Sequence, residues 1–421
     1  MKGIIQIRKM LLLWGTMLLL SGYVFAEGYG FFSPLENEPD STSFLFMNKK
    51  ISHRIGVEVR PGYVIPTHSF LEGDNYKMKR IRNSLSAHLK YSFQFLPGTY
   101  TDRIYGGVYQ GIGIGYHTFG NRMELGDPIT FYLFQGASLA KFTPRLSFNY
   151  EWNFGVSTGW KPYNADYNQY NHILGSKVNA YLNVNFYLRW MLSRQFDLTA
   201  GVDATHFSNG NTKFPNAGLN MAGLKLGIVY KFNRSEYSSS KSLYRYPIPD
   251  FPRHISYDLV LFGSWRRKGV PFGGEEVASP DAYPVFGFNF APMYNFGYKF
   301  RAGVSIDGVY DGSANVYTED YIVGTAQQFY KPSLDKQLAL GLSARGEYVM
   351  PYFTVGVGLG VNVLHGGGDL KAFYQILALK TEITRNTFLH IGYSLQNFHT
   401  PNFLMLGIGF RFHNKYPAFH R

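Results

Sequence analysis

Apolar and polar residues alternate with a period of two through most of the chain beyond its N-terminal segment. In SKVNAYLNVNFYLRW, Val178, Ala180, Leu182, Val184, Phe186, Leu188 and Trp190 share one face, and Lys177, Asn179, Tyr181, Asn183, Asn185, Tyr187 and Arg189 the other. YFTVGVGLGVNV sets Phe353, Val355, Val357, Leu359, Val361 and Val363 against Thr354, Gly356, Gly358, Gly360 and Asn362. GLKLGIVYKF repeats the pattern, with Leu224, Leu226, Ile228, Tyr230 and Phe232 opposite Lys225, Gly227, Val229 and Lys231. Successive side chains of a strand point to opposite faces, so these are long strands with one apolar face and one polar or glycine face. A soluble sandwich usually uses shorter strands. The pattern predicts an all-β chain folded as a transmembrane antiparallel β-barrel, apolar toward lipid and polar toward its lumen.

About eight such segments precede residue 233 and about eight follow residue 257. The first set lies near 54–66, 84–96, 103–117, 129–142, 145–161, 176–191, 196–208 and 220–232. The second lies near 256–266, 284–296, 299–310, 337–350, 352–364, 371–384, 387–399 and 403–412. The Ser- and Pro-rich stretch at 234–255 reads as a linker. The halves resemble one another. LGIVYKF at 226–232 matches LGIGFRF at 406–412, residues 194–201 and 385–392 are equally spaced, and each half then carries a Pro-Asn pair, Pro215-Asn216 and Pro401-Asn402. A duplicated unit of eight strands follows. It can close as one barrel of about 16 strands, the favoured reading, or as two small barrels in tandem. The expected organisation is a half at 52–233 carrying the candidate site and a second half at 256–413, with a tail at 414–421. The aromatic-ended last strand, with Phe410 and Phe412 in its apolar row, resembles the signal read by the barrel-assembly machinery.

The first residues fix the compartment. MKGIIQIRKM is basic, LLLWGTMLLLSGYVFA is apolar, and Val24-Phe25-Ala26 forms a small-residue cleavage box. This reads as a signal peptide at 1–26, followed by an extension at 27–51. No later apolar run is long enough for a helical span. The expected location is the outer membrane of a Gram-negative bacterium. The chain has no cysteine, which excludes a disulfide framework and a thiolate metal site. Its formal charge of +13 suits an anionic partner such as a phosphorylated lipid, or reflects a generally basic surface; export argues against nucleic acid. The 12 histidines show no metal-ligand spacing, and no metal or cofactor is expected. GIGIG at 111–115 and GVGLG at 356–360 read as lumen-facing glycine rows, not nucleotide loops. Asp307, Asp311 and Glu319 read as lumen or loop carboxylates, His365 as a loop residue, and Trp152, Trp160 and Trp190 as an aromatic girdle.

One segment departs from the barrel pattern. In FDLTAGVDATHFSN, Leu198, Ala200, Val202, Ala204, His206 and Ser208 share the lipid row, and Asp197, Thr199, Gly201, Asp203 and Thr205 share the lumen row. Polar groups facing hydrocarbon are costly unless they sit at the interface or have a use. His206 and Ser208 close their strand, at the membrane-water boundary. A serine hydroxyl needs an adjacent base to act as a nucleophile. Residues i and i+2 of a strand are about 6.6 Å apart and project to one side, so an imidazole can span that gap.

The stretch THFSNGNTKFPNAGLN at 205–220 resembles the active-site segment of the lipid A 3-O-deacylase (PagL-type) family, outer-membrane barrels of eight strands. That family shows His-x-Ser-Asn, then Pro-Asn, then a Gly and an acidic residue. The resemblance covers mainly the seventh and eighth strands. It implies His206 as general base and Ser208 as nucleophile, with Asn209, Gly210 and Asn216 supplying oxyanion or substrate contacts. Asn220 stands where the family has its His-orienting Glu; an Asn can orient an imidazole but adds no charge. The implied activity is an esterase that removes an acyl chain, at the 3-O position, from lipid A of lipopolysaccharide. Aligning the halves places Asn397 opposite His206 and His399 opposite Ser208, so the second half lacks the dyad. Two other readings compete: a porin or solute channel, and an interaction barrel presenting loops such as YNADYNQYNHIL. Oligomeric state is not legible.

Overall fold

The computed structural model describes residues 51–232, 247–319, 325–371, 373–397 and 400–415. The expected signal peptide and nearly all of the extension at 27–51 lie outside these residues, as do residue 233, 234–246 of the linker, His399, and 416–421 of the tail.

The described residues are mostly strands, joined by turns, loops and a few short helical turns. Eight form the first barrel: β1 Ile51–Ile65, β2 Asn83–Phe95, β3 Tyr109–Thr118, β4 Gly126–Lys141, β5 Leu146–Trp160, β6 Val178–Met191, β7 Phe196–Ser208 and β8 Leu219–Lys231. β9 His254–Arg266 opens the second barrel, followed by a loop hairpin of β10 Gly269–Phe272 and β11 Glu275–Ala278. Then come β12 Tyr283–Asn295, β13 Phe300–Asp311, a small pair of β14 Tyr317–Thr318 and β15 Phe329–Tyr330, β16 Leu338–Val349, β17 Phe353–His365, β18 Phe373–Glu382, β19 Thr387–Gln396 and β20 Thr400–Phe412. β8 pairs back onto β1, from Arg54↔Lys231 to Ile65↔Asn220. β20 pairs onto β9, from Leu406↔Gly263 to Phe412↔Tyr257.

The result is two closed barrels of eight strands each, which corrects the favoured expectation of one 16-strand barrel. The reason is register. Strand count and alternation are the same for either closure, and only the pairing of each half's first strand with its own last strand abolishes the edges early. The matched heptapeptides at 226–232 and 406–412 run through these two closing strands.

Strand limits follow the alternation closely, except at the start of β3. Residues expected to be extended from 103 instead form a helical turn, Tyr100–Tyr105. Thr99 caps it by accepting from the Asp102 amide at 3.4 Å, and Gly106 ends it in the left-handed region at φ 69°.

Both lumens are filled. In the first, Glu58 meets Arg60 at 2.6 Å, Lys90 at 3.1 Å and Lys225 at 3.0 Å, while Glu151 pairs with Lys90 and accepts from Tyr109 at 3.0 Å. In the second, Asp258 joins Arg411 and Lys380, each at 2.8 Å, and Asp307 binds Arg345 at 2.6 Å and Tyr374 at 2.7 Å. Eight strands enclose only enough space for side chains. The open pore that a channel requires is replaced by packed ion pairs. Outside, Val57, Leu89, Ile112, Val184, Leu224 and Leu226 stand exposed on the first barrel, and Leu261, Val304, Leu342, Val357 and Leu359 on the second. Apolar residues outside and ion pairs inside suit a barrel whose solvent is lipid. Trp190 joins this outer face, but Trp160 is buried against Phe119 and Phe207, and Trp152 packs on Phe353 of the second barrel. Those two tryptophans therefore leave the expected girdle for better-packed positions.

Candidate active site

β7 carries the site. Its lumen row is buried, with Asp197, Thr199, Asp203 and Thr205 all enclosed, while Val202 on the opposite row is 54% exposed. His206 and Ser208 fall on that outer row, half-buried, at the end of the barrel bearing the long loops 66–82, 161–177 and 209–218. Phe207 between them points inward and is fully buried, its ring 4.9 Å from Trp160, 5.2 Å from His117 and 5.4 Å from Tyr181. This apolar plug fixes the backbone of the two flanking residues, so their outward direction is set by core packing.

Across the hairpin, His206 pairs with Asn220 in register. The side chains meet as well, with His206 Nδ1 2.6 Å from Asn220 Oδ1. The amide carbonyl accepts only from a protonated Nδ1, which leaves Nε2 as the acceptor in the neutral ring. The Ser208 hydroxyl makes no hydrogen bond among the described residues.

Gly218 shapes the ring's surroundings and carries no chemistry of its own. Its φ is +72°, and a Cβ there would meet His206 Cε1 at 3.0 Å and the Phe207 carbonyl at 3.3 Å. Only glycine accepts that backbone and lets the loop return beside the imidazole. The sequence marks this residue as the Gly after Pro-Asn, but its partner is visible only in three dimensions. Thr67 Oγ1 donates to the Gly218 carbonyl at 3.0 Å, tying the first loop to the same point.

The β7–β8 loop is ordered by its asparagines. The Asn209 amide donates to Asn216 Oδ1 at 2.9 Å, Asn209 Nδ2 donates to the Lys213 carbonyl at 2.5 Å, and Thr212 Oγ1 donates to the Asn209 carbonyl at 2.8 Å. Asn209 thus spends its backbone and side-chain donors inside the loop. The Gly210 amide and the Asn216 side-chain amide make no such bond among the described residues. The loop's outer limb lies against the second barrel. Phe214 donates to the Arg267 carbonyl at 3.0 Å, Arg267 donates to the Thr212 carbonyl at 3.1 Å, and Asn211 Nδ2 donates to the Asn402 carbonyl at 2.9 Å. Partial burial, then the positive charges of Arg267 and Lys177, hold the Lys213 ammonium below the usual lysine range.

Among the described residues the second barrel shows no equivalent site. Its seventh and eighth strands, β19 and β20, pair almost to their ends, with Gln396 opposite Thr400. That hairpin is too tight for a loop like 209–218, and Asn397 sits in the turn at φ 49°. No group of three or more His, Cys, Asp or Glu able to hold a metal ion occurs among the described residues.

The family described as "Lipid A 3-O-deacylase (PagL)" matches residues 81–229, an interval that contains His206, Ser208 and Asn220. The family described as "Acyloxyacyl hydrolase, C-terminal domain" matches residues 255–414, the second barrel. No curated protein matches the chain. Among solved structures, that of the outer membrane enzyme PagL is similar at 17% identity, covering 41% of this chain and 97% of that one with a TM-score of 0.28. Neisserial surface protein A is similar at 8% identity, covering 44% and 100% with a TM-score of 0.28. A mutant of the TodX monoaromatic hydrocarbon channel is similar at 9% identity, covering 87% and 89% with a TM-score of 0.20. At such scores none of the three bears on chemistry, and the assignment rests on the two family matches. Residues 81–229 thus match the lipid A 3-O-deacylase (PagL) family and residues 255–414 the acyloxyacyl hydrolase C-terminal domain, and the chain is an outer-membrane β-barrel ester hydrolase.

Proposed function

We propose that this outer-membrane ester hydrolase removes the 3-O-linked acyl chain of lipid A by a Ser208/His206 mechanism. The observation that supports it best is the 2.6 Å contact from His206 to Asn220 on the outer face of β7, at the loop-bearing end of the barrel. Lipid esters lie at the membrane interface, so a nucleophile on the outer wall reaches them without extracting the lipid.

In this reading, Asn220 holds the imidazole with Nε2 unprotonated. Substrate entry displaces water and brings the Ser208 hydroxyl onto Nε2; such contacts often tighten only in the substrate complex. Ser208 Oγ attacks the ester carbonyl, and His206 takes the proton and returns it to the departing sugar hydroxyl. Water then enters by the reverse proton path and frees the fatty acid. The tetrahedral oxyanion needs donors not already engaged, a role that falls to the Gly210 amide and the Asn216 side-chain amide.

The test is mass spectrometry of lipid A from cells expressing the chain. Loss of one hydroxyacyl chain from the 3-position is expected. Ser208→Ala and His206→Ala should each reduce the rate by about a thousandfold or more while the barrel stays folded. Deacylation that persists in Ser208→Ala refutes the mechanism, and loss of a chain from another position refutes the 3-O assignment.

A further inference from the structure

The second barrel lacks the His-Ser pair, yet its β9–β10 connection lies against the loop that follows Ser208. Arg267 donates to Thr212 and accepts from Phe214. The two bonds bracket Lys213, as in a parallel β-contact, so Lys213 and Arg267 lie side by side on neighbouring backbones. Lys213 is also tied to the catalytic strand, because its carbonyl accepts from the side chain of Asn209, the residue after Ser208. Lys177 precedes β6, whose Ala180 pairs with Ser208.

These three cations differ from their neighbours in having no acidic partner. Arg266 binds Asp311 at 3.4 Å and Asn402 at 2.9 Å, and Lys268 pairs with Asp369. Among the described residues, Arg267, Lys213 and Lys177 bind no carboxylate. The fold has nonetheless brought Lys213 and Arg267 side by side, from two barrels, with Lys177 at the start of the neighbouring strand. The loop is well anchored here, since a Cβ on Gly269 would meet the Phe214 ring and one on Gly210 would meet Leu404 at 3.4 Å. Lys213 and Arg267 therefore sit on ordered backbone.

We infer that Arg267 of the second barrel joins Lys213 and Lys177 of the first in a seat for the phosphate of a phosphorylated glycolipid, set beside the acyl ester that Ser208 attacks. This deepens the deacylase reading and rests on it for the identity of the lipid. A phosphate supplies the missing charge, and guanidinium and ammonium donors suit it. The seat also gives the second barrel a task, because it completes a substrate site that the first barrel alone lacks.

The test measures binding by the full chain carrying Ser208→Ala, reconstituted in detergent, to phosphorylated lipid A and to the same lipid chemically dephosphorylated. The parent is expected to favour the phosphorylated lipid, and Arg267→Gln or Lys213→Gln to erase most of that preference, about ten- to a hundredfold. Arg267→Lys should retain part of it. Heat-dependent mobility on gels reports whether each variant is folded; Lys213→Gln, on an exposed side chain, keeps the test decisive if the Arg267 variants fail to fold. Equal binding of both lipids by the parent, or equal weakening of both by the variants, overturns the seat while leaving the deacylase reading standing. Displacement of the lipid by inorganic phosphate at equal concentration marks a free-anion site and overturns the glycolipid assignment. Failure to bind either lipid would count against the deacylase reading itself.

Discussion

Asn220 stands where the resembling family places a carboxylate, and Asn220→Asp tests what that costs. The substitution keeps the side-chain shape, so the 2.6 Å contact to His206 Nδ1 can persist while the acceptor gains a negative charge. With charge centres about 4 Å apart and an effective dielectric near 20, the attraction to an imidazolium is about 4 kcal/mol. Both residues are half-buried at a wet strand end, which discounts it to about 1–2 kcal/mol. In the proposed mechanism the imidazolium forms as Ser208 attacks, so this energy is expected to lower the barrier and raise kcat by about 5- to 30-fold. Fatty-acid release from purified lipid A measures the effect. An unchanged kcat in Asn220→Asp, together with parental kcat in Asn220→Ala, refutes the claim that Asn220 orients His206.

Gly218→Ala forces a Cβ to within 3.0 Å of the His206 ring on a backbone at φ +72°, and we expect kcat to fall about tenfold or more with little change in barrel stability; parental kinetics would show that the ring does not depend on this approach. Lys225→Met removes a cation that meets Glu58 at 3.0 Å and Glu151 at 3.5 Å deep in the first lumen. It should cost about 3–5 kcal/mol, read as a lower denaturation midpoint, and a midpoint equal to the parent's would contradict the importance of that network. The packed lumens predict no sustained single-channel conductance in planar bilayers, and stable unitary currents from the purified chain would contradict the filled interiors. Closure of β8 onto β1 predicts that residues 51–232 alone fold into a heat-modifiable barrel; a fragment that never gains that mobility would show that the barrels fold only together.

Much of the site was legible because strand parity is a rigid rule. Once Asp203 and Thr205 were assigned to the lumen, His206 and Ser208 had to face outward, and the burial of the former pair agrees. The partnership of His206 with Asn220 followed from the same parity across one hairpin. The contributions of Gly218 and Arg267 were not legible. Gly218 acts through a close approach, which leaves no trace in a hydropathy pattern beyond the glycine itself. Arg267 belongs to the other half of the chain, between two basic neighbours of identical local character. Trp160 misled for a related reason, since it closes a strand on the face that packs inward among the loops.

By itself, the sequence determined that the chain forms long antiparallel strands with a lipid-facing side and a polar side, roughly where each begins and ends, and that His206 and Ser208 share the outer row of one strand in the first half. These are local properties, set by a two-residue period and by neighbouring side chains. Tertiary structure alone decided that the sheet closes twice, that both lumens fill with ion pairs, and that the second barrel reaches back to the loop after Ser208. Those outcomes depend on which distant edge a strand meets. Backbone hydrogen bonds are the same for every partner, so the choice falls to register and side-chain packing summed over the whole chain.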